Sequence, residues 1–360
     1  MKRRDFVKTL GAGSLVAGTA VVGAPAVHAQ TKVQWKMVTT WPKNFPGLGT
    51  GANFLAQLIT EMSGGRIEVK VYGAGELVPA FEIFDAVSKG TAEMGHGAAY
   101  YWKGKSEAAQ FFAAVPFGLT AQEMNGWLYH GGGMELWNEV YAPFGLVPGA
   151  AGNTGVQMGG WFNKQINSVD DLKGLKMRIP GLGGEVLARA GGTPVSLPGG
   201  EIFQALTSGA IDATEWVGPY NDLAFGLYKA AKHYYYPGWH EPGTTLECFV
   251  NKAALEALPK DLQAVVTNAI KVANQDMLAD FTARNNQALQ TLVNEHKVDL
   301  RPFPDEVLKK LKDLSDEVVA EVAAKDPVSK KVYDSFVKFR DEAVAWHNVS
   351  ERAYLNARML

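Results

Sequence analysis

Arg178 closes the apolar-basic run Gly174-Leu175-Lys176-Met177-Arg178-Ile179-Pro180. A guanidinium at the tip of a strand can offer a carboxylate two parallel donors, a geometry that a lysine cannot match. An ordinary ion pair is the plainer role for the same residue. Glu215 directly follows an apolar stretch and precedes Trp216, so it should be desolvated and in need of a counter-charge, either Arg178 or a cation. Gln157 and Glu241, on other segments, add oxygen donors. Such a set suits a hard cation, sodium or calcium, better than a soft metal. Aromatic residues cluster at Tyr100-Tyr101-Trp102, at Trp216 and at Tyr234-Tyr235-Tyr236-Pro237-Gly238-Trp239, as core or as the walls of a small-molecule pocket.

Other chemistries find little support. Gly11-Ala12-Gly13 falls in a leader segment, and there is no P-loop. Gly181-Leu182-Gly183-Gly184 reads as a tight strand-to-helix turn in preference to an anion cradle. His96, His130, His233, His240, His296 and His347 lack close metal-ligand spacing, which disfavours a catalytic zinc site. No nucleophile–base constellation stands out.

The elements that must position these groups show an internal repeat. Glu82-Ile83-Phe84-Asp85-Ala86-Val87-Ser88-Lys89-Gly90-Thr91-Ala92-Glu93-Met94 aligns at an offset of 119 residues with Glu201-Ile202-Phe203-Gln204-Ala205-Leu206-Thr207-Ser208-Gly209-Ala210-Ile211-Asp212-Ala213. Each copy reads as a helix stopped by a glycine and followed by a short strand, so two lobes built to one plan are expected. The first should carry strands at 33–39, 66–72 and 94–99 with helices at 51–63 and 80–89. The second should carry strands at 155–162, 175–179 and 193–197 with a helix at 184–190. This alternation predicts α/β lobes with largely parallel sheets, whose ligands sit beyond the carboxyl ends of the strands. The segments after the two copies, from Gly95 to Tyr101 and from Thr214 to Tyr220, should therefore face one cleft. From Leu258 onward the chain reads as long amphipathic helices, at 260–296, 304–324 and 327 to about 358. The last carries Phe336, Phe339, Val344 and Trp346, to pack across the lobes or to dock on a second subunit.

Of 360 residues, 35 are Lys or Arg, 37 are Asp or Glu, and one is Cys. Met1–Ala29 reads as an export signal with a basic start, an apolar stretch and a small-residue exit, and Arg3-Arg4-Asp5-Phe6-Val7-Lys8 resembles the twin-arginine motif. Lys2, Arg3, Arg4 and Lys8 leave with it against Asp5, taking the formal charge from −2 to −5. A mildly acidic protein of this kind is no partner for nucleic acid. Cys248 has no intramolecular disulfide partner, and no Cys marks a lipoprotein anchor. The expected location is the periplasm.

Taken together, Gly152-Asn153-Thr154-Gly155-Val156-Gln157-Met158-Gly159-Gly160-Trp161-Phe162, Leu175-Lys176-Met177-Arg178, Gly209-Ala210-Ile211-Asp212-Ala213-Thr214-Glu215-Trp216-Val217-Gly218-Pro219-Tyr220 and the Tyr234–Trp239 run resemble the extracytoplasmic solute receptors of TRAP transporters. Within that DctP-like family they look most like the branch that binds 2-oxo acids and lactate. The resemblance implies a two-lobe periplasmic binding protein fold, with mixed sheets and long C-terminal helices. Its parts would be a signal peptide at 1–29, lobe I at 30–152, lobe II at 153–245, and a return to lobe I at 246–360 with cross-lobe helices and a dimerisation helix. It implies capture of a small 2-oxo or 2-hydroxy monocarboxylate clamped by Arg178, with a sodium or calcium ion bridging ligand and protein. The ion's ligands would be the side chains of Gln157, Glu215 and Glu241 and the Trp216 carbonyl, while Tyr100 and Asn153 line the pocket. His240 stands where a second aromatic is common. A homodimer and two membrane partners, a small and a large integral subunit driven by sodium, are further implications. The alternative is a periplasmic metal-dependent enzyme acting on an oxo acid, with Glu215 as base.

Overall fold

The computed structural model describes residues 32–360; the export signal read at Met1–Ala29 lies outside them. Eleven strands among the described residues form two sheets. In chain order they are β1 (Val33–Thr39), β2 (Ile67–Tyr72), β3 (Met94–Gly97), β4 (Leu146–Asn153), β5 (Gly160–Phe162), β6 (Lys176–Arg178), β7 (Thr193–Val195), β8 (Ala213–Thr214), β9 (His233–Tyr236), β10 (Thr245–Asn251) and β11 (Asp299–Pro302). The first sheet runs β2-β1-β3-β10-β4 and the second β11-β9-β5-β8-β6-β7.

Each sheet is parallel except for one strand. β10 is antiparallel to both its neighbours, β3 and β4, and β5 to both of its own, β9 and β8. These are the strands that the chain enters directly across the cleft from the other sheet; β11 joins the second sheet later, by way of a long helix, and runs parallel to β9. β4 ends at the cleft and the chain crosses to begin β5 there; β9 ends at the cleft and the chain crosses back to begin β10. A strand that starts at the cleft must run away from it, against all those that end there. The sheets are therefore mixed, while every other strand delivers its carboxyl end to one place.

The repeat is realised as helix Ile83–Ser88 leading to β3 and helix Gly199–Ser208 leading to β8. Gly90 and Gly209 both have φ of 75°, the left-handed backbone that lets a helix stop and the chain turn into a strand. Two expected strands are shorter than their apolar patterns. The run from Gly155 becomes extended only at Gly160, and the run from Met94 ends at Gly97 and then coils tightly through Ala99–Trp102. In both cases the residues freed from the sheet carry candidate site groups, Gln157 and Tyr100.

Helix Lys260–Gln290 buries Leu262, Val266, Ile270, Ala273, Met277 and Phe281, a stripe recurring every three or four residues. It lies along β4 and helix Leu48–Met62 and reaches helix Pro219–Phe225 beside the second sheet, so one rigid rod braces both sheets. It continues as a π-helical turn over Thr291–Glu295, filling the expected 260–296 span, and the chain then enters β11, which pairs with β9 as an edge strand of the second sheet. Helix Asp305–Ala323 packs on helix Gly181–Arg189. Helix Pro327–Val349 starts at Asp326, whose carboxylate caps the amides of Val328 and Ser329 at 2.9 and 2.8 Å ahead of Pro327. Its first half packs on its own chain, with Phe336 fully buried against Trp127. Its second half leaves Trp346 and Val349 65% and 73% exposed. Among the described residues no helix is long and apolar enough to cross a membrane.

Candidate functional site

Parallel pairing of β6 with β8 sets Arg178 beside Thr214, so Glu215, one residue on, emerges next to it at the cleft edge. The guanidinium and the Glu215 carboxylate form an ion pair, both side chains about 1% exposed. Arg178 Nε donates to the Leu197 carbonyl at 3.2 Å, Nη1 to the Glu215 carbonyl at 3.3 Å as well as to Glu215 Oε1, and Nη2 to the Tyr101 hydroxyl at 3.3 Å. The Trp216 ring lies 5.1 Å from the guanidinium. Burial alone would disfavour the cation, but Glu215, Tyr101, Tyr100 and Glu241 overcome it and hold the Arg178 pKa above its ordinary value. The plainer reading of Arg178, an ion pair with Glu215, is thus what the geometry contains, and it is buried where a charge needs a reason to be.

Around the other face of Glu215 stand groups from the two crossing segments. Gln157 Nε2 donates to Glu241 Oε2 at 2.8 Å, to Thr244 Oγ1 at 3.1 Å and to Thr154 Oγ1 at 3.2 Å. Thr244 Oγ1 donates to Glu241 Oε2 at 2.6 Å. Burial, then the charge of Glu215, pushes the Glu241 carboxyl up to about 8. Burial, then the charge of Glu241, raises the Tyr100 hydroxyl well above the usual tyrosine value. Gln157 Oε1, Glu215 Oε2 and both ring nitrogens of His240 are buried without a hydrogen-bond partner. Glu215, His240 and Glu241 each offer an atom lying within 4.8 Å of the others. Buried polar atoms are normally paired, so this concentration of unpaired ones, two of them oxygens beside the Glu241 carboxylate, matches the donor set of a cation.

The two sheets meet across this cluster through aromatic rings. Trp216 is 4% exposed and meets Trp41 and Phe45 edge-on at 6.1 and 6.3 Å. Phe45 stacks on Phe225 at 4.1 Å, Asn221 Nδ2 donates to the Pro46 carbonyl at 2.9 Å, and Lys103 pairs with Glu185 at 2.5 Å. The lobes are closed on one another. The glycines that open helix Gly181–Arg189 allow this approach, since a Cβ at Gly181 would lie 3.0 Å from Tyr100 and one at Gly183 would lie 2.8 Å from His240. They form the first turn of the helix itself, which begins three residues earlier than the expected start at 184, and they serve packing.

The structure brings Arg178, Glu215, Trp216, Gln157, Glu241 and Tyr100 together, and it gives Asn153 a different occupation. The Asn153 amide donates to the Gly243 carbonyl at 3.1 Å and to Thr245 Oγ1 at 3.3 Å, and its oxygen accepts from Gly155 N at 2.9 Å. It ties the two crossing segments to each other. Trp41 and Phe45 were missed by the sequence reading, although Trp41 lies two residues beyond the end of β1, where the strand-end rule places cleft residues. His240 has no metal-ligand spacing to another histidine, and the structure groups it with its neighbour Glu241 and with Glu215 from β8's end.

A cluster of buried charge closed between two α/β lobes braced by one long helix is the architecture of a solute receptor. The family of bacterial extracellular solute-binding proteins, family 7 (DctP), matches residues 37–326, and the chain belongs to it. It is a receptor for a small solute acting outside the cytoplasm, not an enzyme, and the reading of Glu215 as a catalytic base is set aside. Over 362 residues it is 46% identical to the monocarboxylate 2-oxoacid-binding periplasmic protein all3028 of Nostoc sp. (strain PCC 7120), covering 99% of this chain and 98% of that one. It is similar to the crystal structure of a TRAP periplasmic solute binding protein from Pseudoalteromonas atlantica T6c with bound sodium and pyruvate. That likeness has a TM-score of 0.88 at 46% identity, over 90% of this chain and 99% of that one. It is also similar to a TRAP transporter solute binding protein from Bordetella bronchiseptica RB50, a mixed occupancy dimer with copurified calcium and picolinate. There the TM-score is 0.89 at 38% identity, over 91% of this chain and 97% of that one.

Proposed function

We propose that this chain captures a small 2-oxo or 2-hydroxy monocarboxylate, of the size of pyruvate or lactate, in the periplasm. It then presents the closed, loaded form to the small and large membrane subunits of a sodium-driven TRAP transporter. The observation that carries the reading is the Arg178–Glu215 pair, buried between two lobes beside unpaired oxygen donors. The lobe boundaries are set at the crossings at 153 and 245, with a third passage through the long helix carrying β11 back to the second sheet in place of a simple return to lobe I over 246–360. The exposed second half of the C-terminal helix supports a homodimer through that helix.

Four of Arg178's five N–H groups already have acceptors. A two-pronged grip on a ligand therefore requires an exchange, in which Nη1 releases Glu215 Oε1 and takes a ligand oxygen while Nη2 takes the other. Arg178 is never buried without a negative partner, so the exchange avoids the cost of an uncompensated charge. A sodium or calcium ion, held by the side chains of Gln157, Glu215 and Glu241 and the Trp216 carbonyl, would supply positive charge to the ligand's carboxylate and 2-oxygen. A charge-assisted hydrogen bond is worth about 1.5–3 kcal/mol net, and two of them fall short of the roughly 8 kcal/mol of micromolar binding. Apolar closure of Trp41 and Phe45 over Trp216 adds to them. Tyr101, hydrogen-bonded to Arg178, holds the guanidinium against the opposite lobe, so ligand capture and closure share one residue.

Calorimetric titration with pyruvate and lactate, with and without a chelator and in sodium-free buffer, tests the reading. Saturable binding that needs a cation, with the ligand recovered chemically unchanged, is the expected result. Absence of heat with every small 2-oxo and 2-hydroxy acid would discard it.

A further inference from the structure

His240 lies on the segment that crosses from β9 to β10 and is 1% exposed. Neither ring nitrogen has a hydrogen-bond partner. A histidine buried for packing alone normally satisfies a nitrogen, because an orphaned polar group costs about 1–3 kcal/mol. His96, equally buried, does so by accepting from Trp41 Nε1 at 2.8 Å. The His240 ring is fixed in place by Gly183, where even a methyl group would collide with its Cβ at 2.8 Å, and by the Trp239 ring, edge-on at 5.3 Å. Its Nε2 stands 3.7 Å from Glu215 Oε2, and Glu241 completes a set of donor atoms within 4.8 Å. Two donors sharing one divalent ion at about 2.0–2.6 Å each fall roughly 3–4 Å apart.

We infer that His240 is a nitrogen ligand of the cation site, which gives this chain a mixed oxygen and imidazole set that binds first-row divalent ions, manganese(II) among them, as well as calcium. The inference deepens the capture reading above and rests on it. One imidazole among carboxylate and amide oxygens raises affinity for first-row divalent ions while leaving calcium, which takes oxygen ligands, little affected.

The test uses the exported chain without its signal, titrated with manganese(II) and with calcium in the presence of pyruvate. Pulsed electron paramagnetic resonance on the manganese-loaded protein reads imidazole nitrogen directly. The expected result is a nitrogen hyperfine coupling that disappears in both His240→Phe and His240→Asn. Manganese affinity should fall by about ten-fold or more and calcium affinity by less than about three-fold. The Asn variant keeps a polar group in the same space and guards against loss of folding in the Phe variant, with circular dichroism melts as the check. Manganese and calcium binding with pyruvate but without nitrogen coupling, or a coupling that persists in both variants, overturns the His240 assignment and leaves the capture reading standing. Pyruvate binding that needs only sodium and is altered by neither divalent ion overturns the His240 assignment alone; if pyruvate binds with none of sodium, calcium and manganese, the capture reading fails and takes the His240 assignment with it.

Discussion

Arg178 and Glu215 leave neighbouring parallel strands one residue out of step, and their side chains meet at the cleft edge with almost no exposure. A buried ion pair is weak evidence for stability, because desolvation cancels most of its Coulombic gain. Its position where every parallel strand ends points instead to a partner exchange.

Arg178→Met should remove ligand binding and, by leaving Glu215 buried and uncompensated, cost about 3–5 kcal/mol of stability. Adding Glu215→Gln should restore most of the stability and none of the binding. Urea unfolding and calorimetry on the single and double variants separate the two effects; full stability in the single variant would contradict the pairing.

Glu241→Gln and Gln157→Leu should weaken cation-dependent binding while preserving the fold. At ligand one hundred times above its dissociation constant, the parent should gain about 2.7 kcal/mol, and both variants should gain much less. Thermal unfolding with pyruvate, with and without chelator, reads the difference.

Closure is carried more by aromatic contact than by surface charge. Phe45→Ala removes the stack on Phe225 and the edge contact with Trp216, worth about 0.5–1.5 kcal/mol each beyond buried area, so ligand dissociation should quicken about ten-fold or more. Lys103→Ala breaks a half-exposed pair worth about 1 kcal/mol or less. Its effect should be a few-fold at most and fade with added salt. Stopped-flow tryptophan fluorescence measures both.

Glu247 accepts from Tyr141 Oη at 2.7 Å and from Trp102 Nε1, yet burial pushes its carboxyl from 4.5 up to about 8. The folded state therefore holds a proton that the unfolded chain releases near 4.5. Stability from this group is intact below about 4.5 and lost as the pH rises toward 8. Glu247→Gln should flatten that decline in urea unfolding at a series of pH values; an unchanged slope would place the proton elsewhere.

Trp346, Val349 and Tyr354 are 64–73% exposed on the last two helices. In the homodimer proposed above, Trp346→Glu with Tyr354→Lys should yield a monomer that keeps its pyruvate-dependent rise in melting point, as sedimentation and thermal unfolding would show; a parent chain that sediments as a monomer would discard that dimer.

Local pattern alone placed the repeat, its terminating glycines and the strand ends at Arg178 and Glu215, because periodicity and left-handed turns are properties of short stretches. The resemblance of four segments to a known family named Gln157, Glu215 and Glu241, oxygen-bearing residues that the fold brings together. Tertiary structure decided which groups touch. It turned β5 and β10 against their sheets, bonded Asn153 across the two crossing segments, brought Trp41 and Phe45 over Trp216, and set His240 beside Glu215. Each of these depends on how the chain crosses between the sheets or on where one lobe closes on the other, and contacts between residues so far apart in the chain leave no local periodicity to read.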